Sequence, residues 1–210
     1  MKTYLFDFDG TLVDSMPTFA GVMTRILDET GIPYGNDLLK IITPLGYADT
    51  ARYYLKLGVP LTYEEILGRM YEYAIKAYTE TVPAKAHVIE TVRALKERGD
   101  ALNVLTASPH EMLDPCLKRL GIYDYFTHVW SCNDFNTNKS DPEIYRMVTE
   151  KIGVPVEKII FLDDNFHADR TAKSAGMTVY GVYDDSSAEY EKEIRSVTDR
   201  YIYDFSELLK

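Results

Sequence analysis

Short apolar runs alternate along this chain with longer stretches in which apolar residues recur at helical spacing. That alternation predicts a parallel sheet flanked by helices. Residues 3–8, 101–106, 127–130, 158–162 and 178–183 read as strands, with a shorter sixth at 201–203 before a terminal helical turn at 206–209. Ser108-Pro109-His110-Glu111 and Ser140-Asp141-Pro142-Glu143 each fit a capping box, a hydroxyl followed three residues later by a glutamate. The first would also place Pro109 at the first helical position, where its missing N–H costs nothing. Gly121, Gly153 and Gly176 fall where helices should end.

Between the first two strands the pattern changes. Residues 17–30, 49–57 and 62–81 all read as helices, the last opened by the capping pair Thr62 and Glu65. A single crossover needs about a dozen residues. The excess predicts a helical domain, residues 16–82, inserted into a sheet domain made of residues 1–15 and 83–210.

Composition narrows the partners. With 210 residues, 46% of them hydrophobic, the chain has ample material for a core plus a small insert. The formal charge is -10 and no block of Lys or Arg stands out, which argues against nucleic acid and against an anionic membrane. An anionic small substrate stays open, because a local cation can reverse the field where it binds. Cys116 and Cys132 offer neither a disulfide framework nor zinc spacing and read as buried or neutral thiols. The chain enters Tyr4-Leu5-Phe6 without a signal-type segment, and no apolar run is long enough to cross a bilayer. A soluble, cytoplasmic protein is expected.

The strand ends carry the chemistry. In a parallel sheet ligands gather at the carboxyl ends of the strands. The first strand runs into Asp7-Phe8-Asp9-Gly10-Thr11, the second into Thr106-Ala107-Ser108, and the fourth into Asp163-Asp164-Asn165. Lys139 stands before a helix between the last two. Alternation along a strand would put Asp7 and Asp9 on one side. Clustered carboxylates repel and need a cation or a shared proton. With no Cys or His nearby in sequence they favour a hard ion such as Mg²⁺.

These segments resemble the signature motifs of the haloacid dehalogenase superfamily, in the branch of phosphoglycolate phosphatase and beta-phosphoglucomutase. The first is Asp7-Phe8-Asp9-Gly10-Thr11-Leu12-Val13-Asp14-Ser15 and the second Leu105-Thr106-Ala107-Ser108. The third is Lys139-Ser140-Asp141-Pro142-Glu143-Ile144-Tyr145, and the fourth Phe161-Leu162-Asp163-Asp164-Asn165 leading to Ala175-Gly176-Met177. Order and spacing fit over almost the whole chain. The resemblance implies an α/β fold with a Rossmann-like core and an inserted all-α cap. It makes Asp7 the nucleophile that forms an aspartyl-phosphate and Asp9 the general acid/base. Thr106, Ala107 and Lys139 would bind the phosphoryl group. Asp7, the Asp9 backbone carbonyl and Asp164 would hold Mg²⁺, with Asp163 supporting them. The second aspartate, which the dehalogenases of the family lack, points to phosphoryl transfer. Asp163 stands where many relatives have glycine, so whether Asp163 or Asp169 helps hold the ion stays open.

Blander readings stand beside these. Aspartates at strand ends also serve as turns and caps, and Lys139 alone would pass for a surface lysine. His87, His110, His128 and His167 share no ligand spacing. In the insert, Tyr47 and Arg52 occupy the place where relatives contact the leaving group, although most of its tyrosines read as packing and Arg52 equally as a surface residue. The expected function is a Mg²⁺-dependent phosphatase for a small phosphorylated metabolite, acting as a monomer or weak homodimer. A phosphomutase on the same residues and a non-catalytic binding protein on the same fold are the alternatives.

Overall fold

The computed structural model describes residues 1–42 and 45–210. These divide into two compact units, Met1–Ser15 with Val82–Lys210 and the inserted Met16–Thr81.

In the first unit, the described residues form a sheet of six parallel strands in the order β3-β2-β1-β4-β5-β6. The strands are β1 (Thr3–Phe6), β2 (Ala101–Thr106), β3 (His128–Ser131), β4 (Ile159–Asp163), β5 (Thr178–Val182) and β6 (Arg200–Ile202). Both β1 and β4 are buried along their whole length, which is why they read as unbroken apolar runs rather than as alternation. One face packs Leu5, Leu105, Phe161 and Val179 against Ile144, Tyr145 and Val148 of α7 (Pro142–Ile152) and Ala168 and Ala172 of α8 (Phe166–Ser174). On the aromatic side Phe6 lies against Phe126 and Phe205, ring centroids 6.2 and 6.1 Å away. From β1 the chain builds outward through β2 and β3, then crosses back to start β4 on the other side of β1. The reversal between β1 and β4 opens the crevice at which such sheets bind ligands.

The inserted unit holds α1 (Met16–Thr30), α2 (Leu38–Ile42), α3 (Gly46–Lys56) and α4 (Tyr63–Glu80). Met23, Ile26, Leu27, Tyr54, Ile66 and Met70 form its own core. The buried Tyr54 hydroxyl donates to the Met23 carbonyl at 2.8 Å. The Thr62–Glu65 capping box opens α4 as its sequence predicts. At the border of the first unit, Leu12–Asp14 pairs with Pro83–Lys85 through Asp14 N to Pro83 O (3.0 Å) and Lys85 N to Leu12 O (3.1 Å).

Two of the expected helix starts differ. After α5 (Val88–Glu97) and β2 comes α6 (His110–Arg119), whose cap residue is Pro109 and which no side chain caps. Before α7 the cap residue is Asp141, not Ser140, whose carboxylate accepts the Glu143 amide, with Pro142 following. The short α2 was not expected, and α3 begins three residues before the expected 49–57.

Candidate active site

Strand β1 stops at Phe6, two residues short of the expected 3–8, because the chain turns at once. The Phe8 carbonyl accepts the amides of both Leu12 and Val13, and Gly10 takes φ +74°, a left-handed conformation that glycine enters without a Cβ clash. Asp7 still reaches the sheet, its amide donating to the Leu162 carbonyl of β4 at 2.8 Å. Asp7 thus sits at the head of the crevice between β1 and β4, level with the Asp163–Asp164 end of β4.

The side chains converge there. Lys139, in the connection from β3 to α7, donates to Asp7 Oδ1 and, at 2.7 Å, to Asp163 Oδ2. Its backbone is held in turn by the fully buried Tyr145, whose hydroxyl lies 3.1 Å from the Lys139 carbonyl and 3.1 Å from that of Ala168. Carboxylate oxygens of Asp7, Asp163 and Asp164 lie within 4.8 Å of one another. Asp164 is pressed against the turn after β1. Thr11 Oγ1 donates to its Oδ1 at 3.2 Å, and a Cβ on Gly10 would come within 2.6 Å of its Oδ2. Any other residue would be strained at this φ and would have to displace the Asp164 carboxylate.

The electrostatics follow from burial. Burial pushes the Asp7 carboxyl well above the ordinary carboxylate range; Lys139 pulls it back, and Asp163, Asp164 and Asp9 push it further. Burial, with Asp163 and Asp184 beside it, raises Asp164 to about 8. Burial alone would lower the Lys139 ammonium, but Asp163 and Asp7 hold it well above its usual value and therefore charged. One lysine does not balance this many buried carboxylates. The donor set is clustered and all oxygen, which suits a hard divalent cation such as Mg²⁺, whose charge would favour the ionised carboxylates. Asp7, Asp163 and Asp164 fit that ion.

The remaining expected residues separate into those that join this cluster and those that do not. The Asp9 carboxylate is not one of the three clustered carboxylates; its Oδ2 accepts from Ser108 Oγ at 2.5 Å. Thr106 is buried at the end of β2 and its Oγ1 accepts the Ser108 amide at 3.0 Å, while Ala107 is exposed beside it. Asp169 is fully buried on α8 but lies outside the cluster, and neither of its oxygens has a hydrogen-bond partner among the described residues. His167 is exposed, its ring against Phe166. In the inserted unit Tyr47 packs against Phe19 and Tyr71, centroids 5.9 and 5.0 Å away. Arg52 pairs with Asp49 at 2.5 Å, lies over the Tyr63 ring and is 60% exposed. Burial pushes the Cys116 thiol up to about 11 and also raises Cys132, keeping both neutral as expected.

Sequence reasoning passed over three contributors. Thr11 and Tyr145 lie inside the motifs quoted above, yet their hydroxyl contacts are not local. Lys85 belongs to no motif. Its ammonium donates to the carbonyls of Gly10 (2.7 Å) and Tyr183 (2.5 Å) and to Asp184 Oδ2 (2.9 Å).

Comparison with known proteins agrees with this picture. Residues 4–182 match the model of the haloacid dehalogenase-like hydrolases. The chain is 28% identical over 184 residues to a phosphorylated carbohydrates phosphatase of Thermotoga maritima, covering 87% of this chain and 85% of the relative. It is 28% identical over 203 residues to the phosphoglycolate phosphatase of Salmonella typhi, covering 84% of this chain and 79% of that one. Among solved structures, a Thermotoga maritima protein provisionally named a beta-phosphoglucomutase superposes with a TM-score of 0.85 at 25% identity, over 100% of this chain and 97% of its own. A Rhodobacter sphaeroides protein crystallised with phosphate, CbbY, shares the fold with a TM-score of 0.79 at 20% identity, over 99% and 96% of the two chains. With its parallel sheet, its acidic strand ends and a family match that spans most of its length, the chain belongs to the haloacid dehalogenase-like hydrolase family.

Proposed function

We propose that the chain is a Mg²⁺-dependent phosphatase for a small phosphorylated metabolite, working through an aspartyl-phosphate on Asp7. The observation that carries this is Lys139 bridging Asp7 and Asp163 in a crevice lined by a third carboxylate, Asp164. A carboxylate can approach an anionic ester only where cations offset the repulsion. Lys139 supplies one of them. Asp7 and Asp164, with the Asp9 backbone carbonyl, would hold Mg²⁺, and Asp163 supports them while holding Lys139; bound there, the ion neutralises phosphate charge.

An Asp7 carboxylate oxygen attacks phosphorus and the ester oxygen–phosphorus bond breaks. Asp9 gives its proton to the departing oxygen. Water then attacks the phosphorus of the aspartyl-phosphate while Asp9 takes back a proton from it. The bond to Asp7 breaks, and inorganic phosphate leaves with the carboxylate restored. Thr106 and Lys139 bind the transferring group. Residues 1–15 and 83–210 carry this chemistry, and the helical 16–82 serves as the cap, with Tyr47 and Arg52 as candidates for substrate choice.

The named relatives act on phosphorylated carbohydrates and phosphoglycolate, which favours a sugar phosphate or a phosphorylated hydroxy acid. A panel of such esters ranked by kcat/KM, with and without chelator, tests the proposal. Chelator-sensitive release of inorganic phosphate is expected. A requirement for a sugar bisphosphate activator, with no net phosphate release, would make the enzyme a mutase instead.

A further inference from the structure

We propose that Lys85 is a positioning residue that sets both the ion affinity and the turnover of this site without touching substrate; the inference rests on the function proposed above.

An ammonium group has three protons to donate. Lys85 gives them to the Gly10 carbonyl, the Tyr183 carbonyl and the Asp184 carboxylate, and the side chain is 18% exposed. Asp184 is fixed in its turn, its Oδ1 accepting from Ser186 N at 2.9 Å and Ser186 Oγ at 2.6 Å. The lysine is therefore locked at both ends. Its backbone is pinned as well, by the Lys85 N to Leu12 O bond.

The contacts span the sheet. Gly10 belongs to the turn after β1, and Tyr183 and Asp184 follow β5. In the sheet β4 lies between those strands. Lys85 thus clamps the loops on either side of β4, whose end delivers Asp163 and Asp164.

Displacement would travel through contact. Two carbonyls that lose a buried donor must turn toward another, because leaving them unpaired is costly. Gly10 is the residue after Asp9, and a Cβ on it would meet the Asp164 carboxylate at 2.6 Å, so the turn and that carboxylate lie against each other. A rotated Gly10 peptide moves the Asp9 carbonyl on one side and Asp164 on the other. Lys139 holds Asp7 and Asp163; Lys85 does the corresponding work for Gly10 and, through it, Asp164.

The test uses the full chain, Mn²⁺ as the titrated probe and p-nitrophenyl phosphate as substrate. Lys85→Met keeps the stem and removes charge and donors. Partners that orient ligands without binding the ion typically change affinity or activity by about 10–100-fold. Mn²⁺ affinity, read without turnover by calorimetry, is expected to fall by at least about tenfold on that scale, and kcat by a similar factor, while KM stays near the wild-type value. Asp184→Asn, which loosens the lysine without removing it, should weaken both readouts to a smaller degree. Wild-type affinity and kcat in a cooperatively folded Lys85→Met would overturn the proposal. If that variant does not fold, wild-type behaviour of Asp184→Asn overturns it. A wild-type chain without phosphatase activity would end the functional reading, and the Mn²⁺ titration would still decide Lys85.

Discussion

Ser108 Oγ donates to Asp9 Oδ2 at 2.5 Å, across 99 residues of sequence. The same hydroxyl sits where a capping box would use it to start α6, yet that helix has no side-chain cap. The contact orients the proposed acid/base residue at the expense of a local helix signal. Replacing Ser108 by Ala should therefore change stability by less than about 1 kcal/mol, since no cap is lost. Turnover should drop by about tenfold, a part of the hundredfold or more that a placed acid/base supplies. The loss should be larger for alkyl than for aryl phosphates, because poor leaving groups need the proton. Rates over a leaving-group series, beside a urea titration, check both halves.

Tyr145 holds Lys139 from beneath. Burial pushes its phenol far above the ordinary value, so the hydroxyl remains a donor at any working pH. Tyr145→Phe keeps the ring against Phe161 and removes the contacts to the half-buried Lys139 carbonyl and the buried Ala168 carbonyl. A loss of about 1–3 kcal/mol is expected from urea unfolding.

Asp169 should destabilise the metal-free protein at neutral pH. Burial raises its carboxyl well above the ordinary value, with Asp163 and Asp164 adding to the shift. The folded state therefore keeps a proton that the unfolded chain gives up, and stability falls as pH rises from the ordinary carboxylate pKa toward the folded one. Asp169→Asn removes that dependence. In chelator the variant should match wild type near pH 4 and exceed it at pH 8; equal curves would refute the assignment.

His110 gives the complementary pH signature. Its Nδ1 lies 2.9 Å from Asp114 and its Nε2 2.9 Å from Asp134. Burial by itself would lower the imidazole, but the two carboxylates raise it. Its contribution is complete below the unfolded histidine pKa and is lost as pH climbs through the raised folded value. The stability gap between wild type and His110→Gln should shrink from pH 6 to pH 9. Chemical unfolding across that range measures it.

How much of this was legible from the residues depends on range. Apolar runs bounded by polar residues mark the strands, because β1 and β4 are buried from both faces. Their ends shifted by one or two residues, since a ladder stops where a turn takes its amides; the Phe8 carbonyl, claimed by Leu12 and Val13, shortens β1. The five-residue α2 is too short for helical periodicity to show. Ser108 carries the local signature of a cap, and Asp9, brought from the far end of the sequence, outcompetes it. Lys85 was invisible for the same reason. Its partners lie 75 to 99 residues away, and a single lysine two residues after a proline carries no pattern.

The Asp7 carboxylate, bonded to Lys139 at the mouth of the β1–β4 crevice, is the centre of the account. Brief mixing with a labelled phosphate ester and Mg²⁺, followed by acid quenching, proteolysis and mass analysis of the peptides, asks whether it forms a covalent bond to phosphorus. Label on the peptide containing Asp7, absent from a folded Asp7→Asn variant that no longer turns over, is the expected result. Hydrolysis at the wild-type rate by Asp7→Asn, or label on a different residue, would contradict it.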